Sequence, residues 1–181
     1  FRERKLAECA GIDDFDVAED GKKVTVGIPR SLIFWEYLPF YSQFFKALGF
    51  DVEISDKTSH RTISKGVELV TAQPCFPVKV AFGHIWDLIE KGVDYVFVPS
   101  IVSLEPRYEA NERSQICPYV QSLPYQVRGI FEELGGKTKL LSVSIQMGDG
   151  KRALKRSLCR LAKKAGVGSE RVGEAMAKAF A

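Results

Sequence analysis

Apolar and polar positions follow two rhythms along this chain, and the switches between them set out an order of elements. Residues 24–28 (VTVGI) form a β-branched run that reads as a buried strand, broken by Pro29-Arg30-Ser31. An aromatic-rich helix is predicted over 34–48, with Pro39 starting or kinking it and Gly49 stopping it. Residues 50–55 alternate as a second strand, and 55–60 are polar loop. Helices are predicted over 62–72, interrupted at Gly66, and over 76–91, closed by Gly92. Residues 93–99 are a third, mostly apolar strand, placed centrally. A long loop from 99 to 116 holds Ser100, Ser103, Glu105, Arg107, Glu109 and Arg113. Loops of that length inside a compact domain are uncommon and often functional. A helix over 118–134 closed by Gly135-Gly136, a fourth strand at 139–143, and helical stretches at 150–165 and 169–180 complete the pattern.

Strands alternating with helices predict an α/β fold: about four mainly parallel strands with helices on both faces, plus C-terminal helices. Right-handed crossovers give the strand order 2-1-3-4. The chain reverses direction between the first and third strands, and ligands of open parallel sheets bind at that crevice, outside the strand C-termini. Three regions follow: a leader or linker remnant at 1–22, a cysteine-containing α/β domain at 23–145, and a helical extension at 146–181.

Composition narrows the function classes. Of 181 residues, 45% are hydrophobic and 27% charged, an ordinary globular balance. The net charge of +3 argues against a nucleic-acid partner. No apolar run approaches the ~18 residues of a membrane span. Phe1-Arg2-Glu3-Arg4-Lys5 is charged and lacks an initiator Met, which predicts a fragment of a longer chain or a processed one. Four cysteines without a secretory signal argue for a reducing, cytoplasmic setting. They form no CxxC pair, against a zinc ribbon. The phosphate-loop, dinucleotide, nucleophile-elbow and HExxH patterns are all missing, so a self-contained nucleotidase, hydrolase or dehydrogenase has no support. Residues 151–164 carry seven cations and no acid, with Leu154, Leu158 and Leu161 opposite. They read as a solvated amphipathic helix, with nucleic acid or an acidic partner as the alternative, and the lack of interleaved aromatic residues counts against a single-stranded nucleic acid.

Candidate chemistry lies with two cysteines, each near proline at a predicted helix start: Cys75 in Pro74-Cys75-Phe76-Pro77 and Cys117 in Ile116-Cys117-Pro118-Tyr119. A helix N-terminus offers unpaired N–H groups and a partial positive charge, which favour bound negative charge such as a metal-ligating thiolate. The helix after Cys75 leads into the third strand, and Cys117 follows that strand's loop. Both therefore fall on the C-terminal edge of the sheet. Arg30 and Ser31, after the first strand, and Glu105, in the long loop, join them as candidate cofactor-binding residues. Two cysteines supply half of a metal or cluster site and no more. Cys9 and Cys159 are incidental. His84 reads as a satisfied packing histidine and His60 as a solvated one. The aromatic run from Phe34 to Phe45 exceeds what one helix face buries, so part of it faces a neighbouring domain.

Residues 26–32, then Glu36-Tyr37-Leu38-Pro39-Phe40 and Leu48-Gly49-Phe50, resemble the start of a domain in 2-hydroxyacyl-CoA dehydratase-related proteins, most closely that of the large CoA-enzyme-activase proteins. Residues 74–79 with Gly83-His84, then 92–99 and 117–121, continue the likeness in order. It covers roughly 22 to 145. It implies a Rossmann-like fold and a family whose relatives hold iron–sulfur clusters, with cysteines from separate domains meeting at one cluster. Electrons there arrive from an ATP-driven activator and reduce a CoA thioester. On this chain only Cys75 and Cys117 fit as cluster ligands. The implied partners are other domains of a longer polypeptide, an ATPase activator module and a CoA-thioester enzyme, with no membrane. Neither ATP hydrolysis nor the acyl-CoA chemistry carries over to these residues. The competing expectation is a non-catalytic Rossmann-like interaction module whose cysteines only pack.

Overall fold

A computed structural model of the protein describes residues 24–105, 114–134 and 136–180. Cys9, Arg107, Glu109 and Arg113 lie outside them. β1 (Thr25–Ile28) pairs in parallel with β2 (Asp51–Ile54) on one side and β3 (Tyr95–Phe97) on the other, and β3 pairs with β6 (Lys139–Leu141). The order β2-β1-β3-β6 is the 2-1-3-4 order read from the sequence. Val26, Ile28, Val52, Val96, Phe97 and Leu141 are buried. Both faces of the sheet are covered, which is why its strands read as near-continuous apolar runs.

Two helices connect β1 to β2: α1 (Leu32–Glu36) and α2 (Leu38–Leu48). The single helix predicted over 34–48 breaks at Tyr37, with Pro39 in the first turn of α2, where its missing N–H costs no bond. Gly49 ends α2 at φ 95°, a left-handed cap open to glycine, and the Phe50 N–H returns to the Phe45 carbonyl. Two helices also connect β2 to β3: α3 (His60–Leu69) and α4 (Phe76–Glu90). Gly66 does not weaken α3. It lets the helix approach so closely that a Cβ there would overlap the Lys79 carbonyl of α4. α5 (Pro118–Gln126) and α6 (Arg128–Glu133) replace the one helix predicted over 118–134, with Pro124 inside α5 and the break at Val127.

The predicted long loop is partly strand. β4 (Ser100–Leu104) pairs with β5 (Ser114–Gln115) antiparallel and with β7 (Ser144–Gln146) in parallel. Backbone bonds from Val98 to Leu141 and from Ser100 to Val143 carry the β3–β6 pairing onward into β4–β7. This second, three-stranded sheet thus extends the first beyond its C-terminal edge. α7 (Gly150–Lys164) packs on β7, and α8 (Val172–Phe180) packs on α2 and α7.

Handedness sorts the layers. The β1-to-β2 and β2-to-β3 crossovers run in opposite directions across the sheet, so right-handed connections place α2 on one face and α3 and α4 on the other. α5 touches α4, and α8 touches α2. One layer is therefore α2, α7 and α8; the other holds α3, α4 and α5. Aromatic rings anchor the first: Tyr41 and Phe45 meet Phe97 at centroid distances of 4.7 and 5.1 Å.

Candidate functional site

The two cysteines occupy equivalent positions in the fold. Cys75 is the N-cap of α4, with Pro77 in its first turn, and its carbonyl accepts from the N–H groups of Val78 and Lys79. Cys117 is the N-cap of α5, followed by Pro118, and its carbonyl accepts from Val120 and Gln121. α4 leads into β3, and α5 with α6 leads into β6. Both helices therefore start beyond the C-terminal edge of the parallel sheet. Neither helix has an acidic residue in its first turn or a side-chain cap on its free N–H groups. The local positive end of each helix is thus not neutralised. Both thiols are free and exposed. An exposed apolar ring stands beside each: Phe76 is 57% exposed and Tyr119 46%.

Among the described residues no group of three or more His, Cys, Asp or Glu side chains is placed to hold a metal ion.

The other residues singled out in the sequence have varied surroundings. Arg30 is tied into the switch point. Its backbone N–H donates to Ser55 Oγ at 2.8 Å, its Nε to the Ser55 carbonyl at 3.2 Å, and its guanidinium lies 4.5 Å over Trp35. The chain leaves β1 through these bonds to the end of β2. Ser31 is buried, and its Oγ has no hydrogen-bond partner among the described residues. Leu32 follows at φ 52°, a left-handed conformation that costs a branched side chain roughly 1 kcal/mol or more. Glu105 is exposed at the end of β4. It lines a cleft of about 320 Å³ with Glu36, Phe40, Lys151 and Phe180, at the α2–α7–α8 layer.

His84 is fully buried and satisfied on both ring nitrogens. Nδ1 lies 2.9 Å from Ser55 Oγ, and Nε2 lies 3.0 Å from Thr58 Oγ1. Ser55 Oγ also accepts the Arg30 N–H, and its proton and second lone pair both remain for Nδ1, so the neutral ring is bonded at both nitrogens in either tautomer. Burial pushes the imidazole pKa down to about 4, against the opposing pull of the Asp87 carboxylate. The pair has the outline of a nucleophile and its base. Ser55 and His84 both have no exposed surface, however, so no substrate can reach them. Their bonds instead join the end of β2 to α4. Sequence periodicity gives His84 its buried place but offers no sign of its partners, which lie 26 and 29 residues away.

No helix of the described residues is long and apolar enough to cross a membrane. No curated protein and no solved structure matches the chain. A family model does, over residues 25–181, from β1 through the last helix. That span takes in both cysteine-capped helices as well as α7 and α8. The chain belongs to the family described as the CoA enzyme activase uncharacterised domain.

Proposed function

We propose that this domain is the cluster-supporting unit of a CoA enzyme activase, and that Cys75 and Cys117 are thiolate ligands of an iron–sulfur cluster whose remaining ligands come from another domain or subunit. One observation carries the reading: two exposed cysteines cap helices that begin on the same edge of one parallel sheet, with no acid in either first turn. A cubane takes about four thiolates, so two fit a shared site and not a self-contained one. When bound, such a cluster supplies one-electron transfer. The chain's own share is to hold two corners and to shelter them. The exposed rings of Phe76 and Tyr119 give the ligand-supplying partner an apolar surface to cover, which keeps water from the sulfurs. The proposed partners are an ATPase activator module, as the source of electrons, and an enzyme acting on a CoA thioester.

The competing reading is an interaction module whose cysteines only pack. Packing cysteines are among the most buried residues of proteins. The exposure of both thiols counts against that role.

Anaerobic purification and reconstitution of the full polypeptide with iron and sulfide tests the proposal. Broad absorbance near ~400 nm with matching iron and sulfide content is expected. A colourless protein that retains no iron, alone or mixed with its activator, overturns it.

A further inference from the structure

A strongly charged surface lies apart from the helices capped by Cys75 and Cys117, in the layer formed by α2, α7 and α8. Ala153, Leu154, Ser157, Leu158 and Leu161 of α7 are buried, which turns Arg152, Lys155, Arg156, Arg160 and Lys163 to solvent. Among the described residues none of these five cations forms an ion pair; Arg160 donates only to Ser157 Oγ, at 3.1 Å. Arg152, Arg156 and Arg160 follow at intervals of four and form a line with steps of roughly 6 Å along one side of the helix. Two shallow clefts adjoin this line and share Cys159 and Arg160. The upper takes Arg152, Lys155 and Arg156; the lower takes Lys163, Val167 and Glu170. Together they make one basic groove along α7, in which Glu170 is the only acid among the described residues.

Like charges so close repel one another unless an anion covers them. Among the described residues no aromatic side chain lines the groove, as base stacking would need. The apolar side of α7 is spent in the core, so the helix has nothing to insert into a lipid surface. A carboxylate-bearing polypeptide fits the groove better than either.

The chain has one such segment outside the described residues. Residues 13–20 contain Asp13, Asp14, Asp16, Glu19 and Asp20 and no cation. Where the described chain begins also points to them. The Val24 carbonyl accepts from the Asp51 N–H at 3.1 Å. Two residues before Asp51, the Cβ position of Gly49 lies 3.7 Å from Arg171 Nη2. Arg171 closes the 3₁₀ turn Ser169–Arg171, whose Ser169 and Glu170 line the lower cleft. β1 therefore begins at the same end of the molecule as the foot of the groove. The acids lie four to eleven positions before Val24, a reach of roughly 13–40 Å at full extension. The helix itself is about 22 Å long.

We propose that the acid-rich segment 13–20 docks on the basic groove of α7, as an intramolecular clasp that occupies a surface otherwise open to other acidic proteins. This proposal does not depend on the cluster.

Carbodiimide coupling, which joins a carboxylate to a lysine amine with loss of water, tests it on the intact chain. At low salt, the monomer should yield cross-linked peptides joining Lys155 or Lys163 to the acids of 13–20. Their yield should fall at least fivefold at ~0.5 M salt, where screening shortens the reach of the charges. The triple variant R152E/R156E/R160E keeps both lysines and should lose these cross-links. As a second measurement, cleavage after Glu19 by a glutamyl endopeptidase should be about tenfold faster in that variant than in wild type, with folding checked by circular dichroism. Cross-links confined to a dimer band would assign the groove to a second copy and overturn the proposal. Retention of transfer RNA at ~0.1 M salt with unchanged Glu19 cleavage would assign it to nucleic acid. Equal cleavage rates with no monomer cross-link would also sink it.

Discussion

A Cβ atom on Gly83 of α4 would overlap the carbonyl oxygen of Thr62 on α3. The obstacle is backbone, which cannot swing aside as a side chain would. Gly83→Ala must push the two helices apart and should destabilise the protein by roughly 2–3 kcal/mol, lowering Tm by about 5–10 °C. Gly66→Ala should cost a similar amount, since its Cβ would meet the Lys79 carbonyl. The double variant should cost less than the sum, because both open the same crossing. Thermal melts followed by circular dichroism measure all three. A Gly83→Ala Tm within a degree of wild type would show that the crossing is looser than described.

The same glycines mark what the sequence could and could not convey. The parallel order, the stop at Gly49 and the cysteines at helix starts were legible, because each rests on local signals: β-branched runs, a glycine cap, proline in a first turn. The purpose of Gly66 was not, since a helix-weakening glycine and a close-packing one look alike until the opposite backbone is known. The second sheet was hidden for a different reason. β4, β5 and β7 are two to five residues long and rich in serine, and Ser100 pairs with Ser144 far along the chain. Nothing in a local window distinguishes such strands from loop. At the switch point, Arg30 and Ser31 were legible as residues after a strand, but Arg30's ties to Ser55 and Trp35 depend on contacts across elements.

His84 should make stability depend on pH in a defined window. Its folded pKa of about 4 lies below the ordinary value near 6.5, so the unfolded chain binds the proton more readily. The stabilisation from keeping it neutral is complete above about pH 6.5. It falls away as pH drops toward 4, by about 3 kcal/mol at most. Asp87 and Asp56 favour the charged ring, while Arg30 opposes it. The Asp56 carboxyl is itself held below its usual pKa by its hydrogen bond to Lys91, so its own loss begins only at lower pH. Urea melts from pH 7 to 4 should show this slope in wild type, and His84→Gln should flatten it. An unchanged slope in the variant would assign the dependence to other groups.

Tyr41 places a hydroxyl in the core with no partner among the described residues. Burial raises its phenol pKa far above the ordinary value. Its ring contacts with Phe40 and Phe97 do not need the oxygen. Tyr41→Phe should therefore raise stability by about 1 kcal/mol, because an unsatisfied buried polar group is removed and the packing is kept. A loss of more than ~0.5 kcal/mol in urea unfolding would mean that the hydroxyl has a partner.

Substitution at each cysteine separates ligation from packing. Serine is close to cysteine in volume and is a favoured N-cap residue, so Cys75→Ser and Cys117→Ser should each melt within about 2 °C of wild type. Both side chains are exposed, and neither substitution opens a cavity. The loss should appear in the cluster instead. After anaerobic reconstitution, iron and sulfide per polypeptide should fall by at least half in either variant, along with the absorbance near ~400 nm. The double variant should be no worse than the more severe single one, because a cluster that loses either corner is already unstable. Gly129→Ala serves as a control: a Cβ there meets nothing within 4 Å, so iron content should not change. Equal iron in wild type and Cys75→Ser would remove Cys75 from the ligand set. Iron lost only in step with a large fall in Tm would return both cysteines to a packing role.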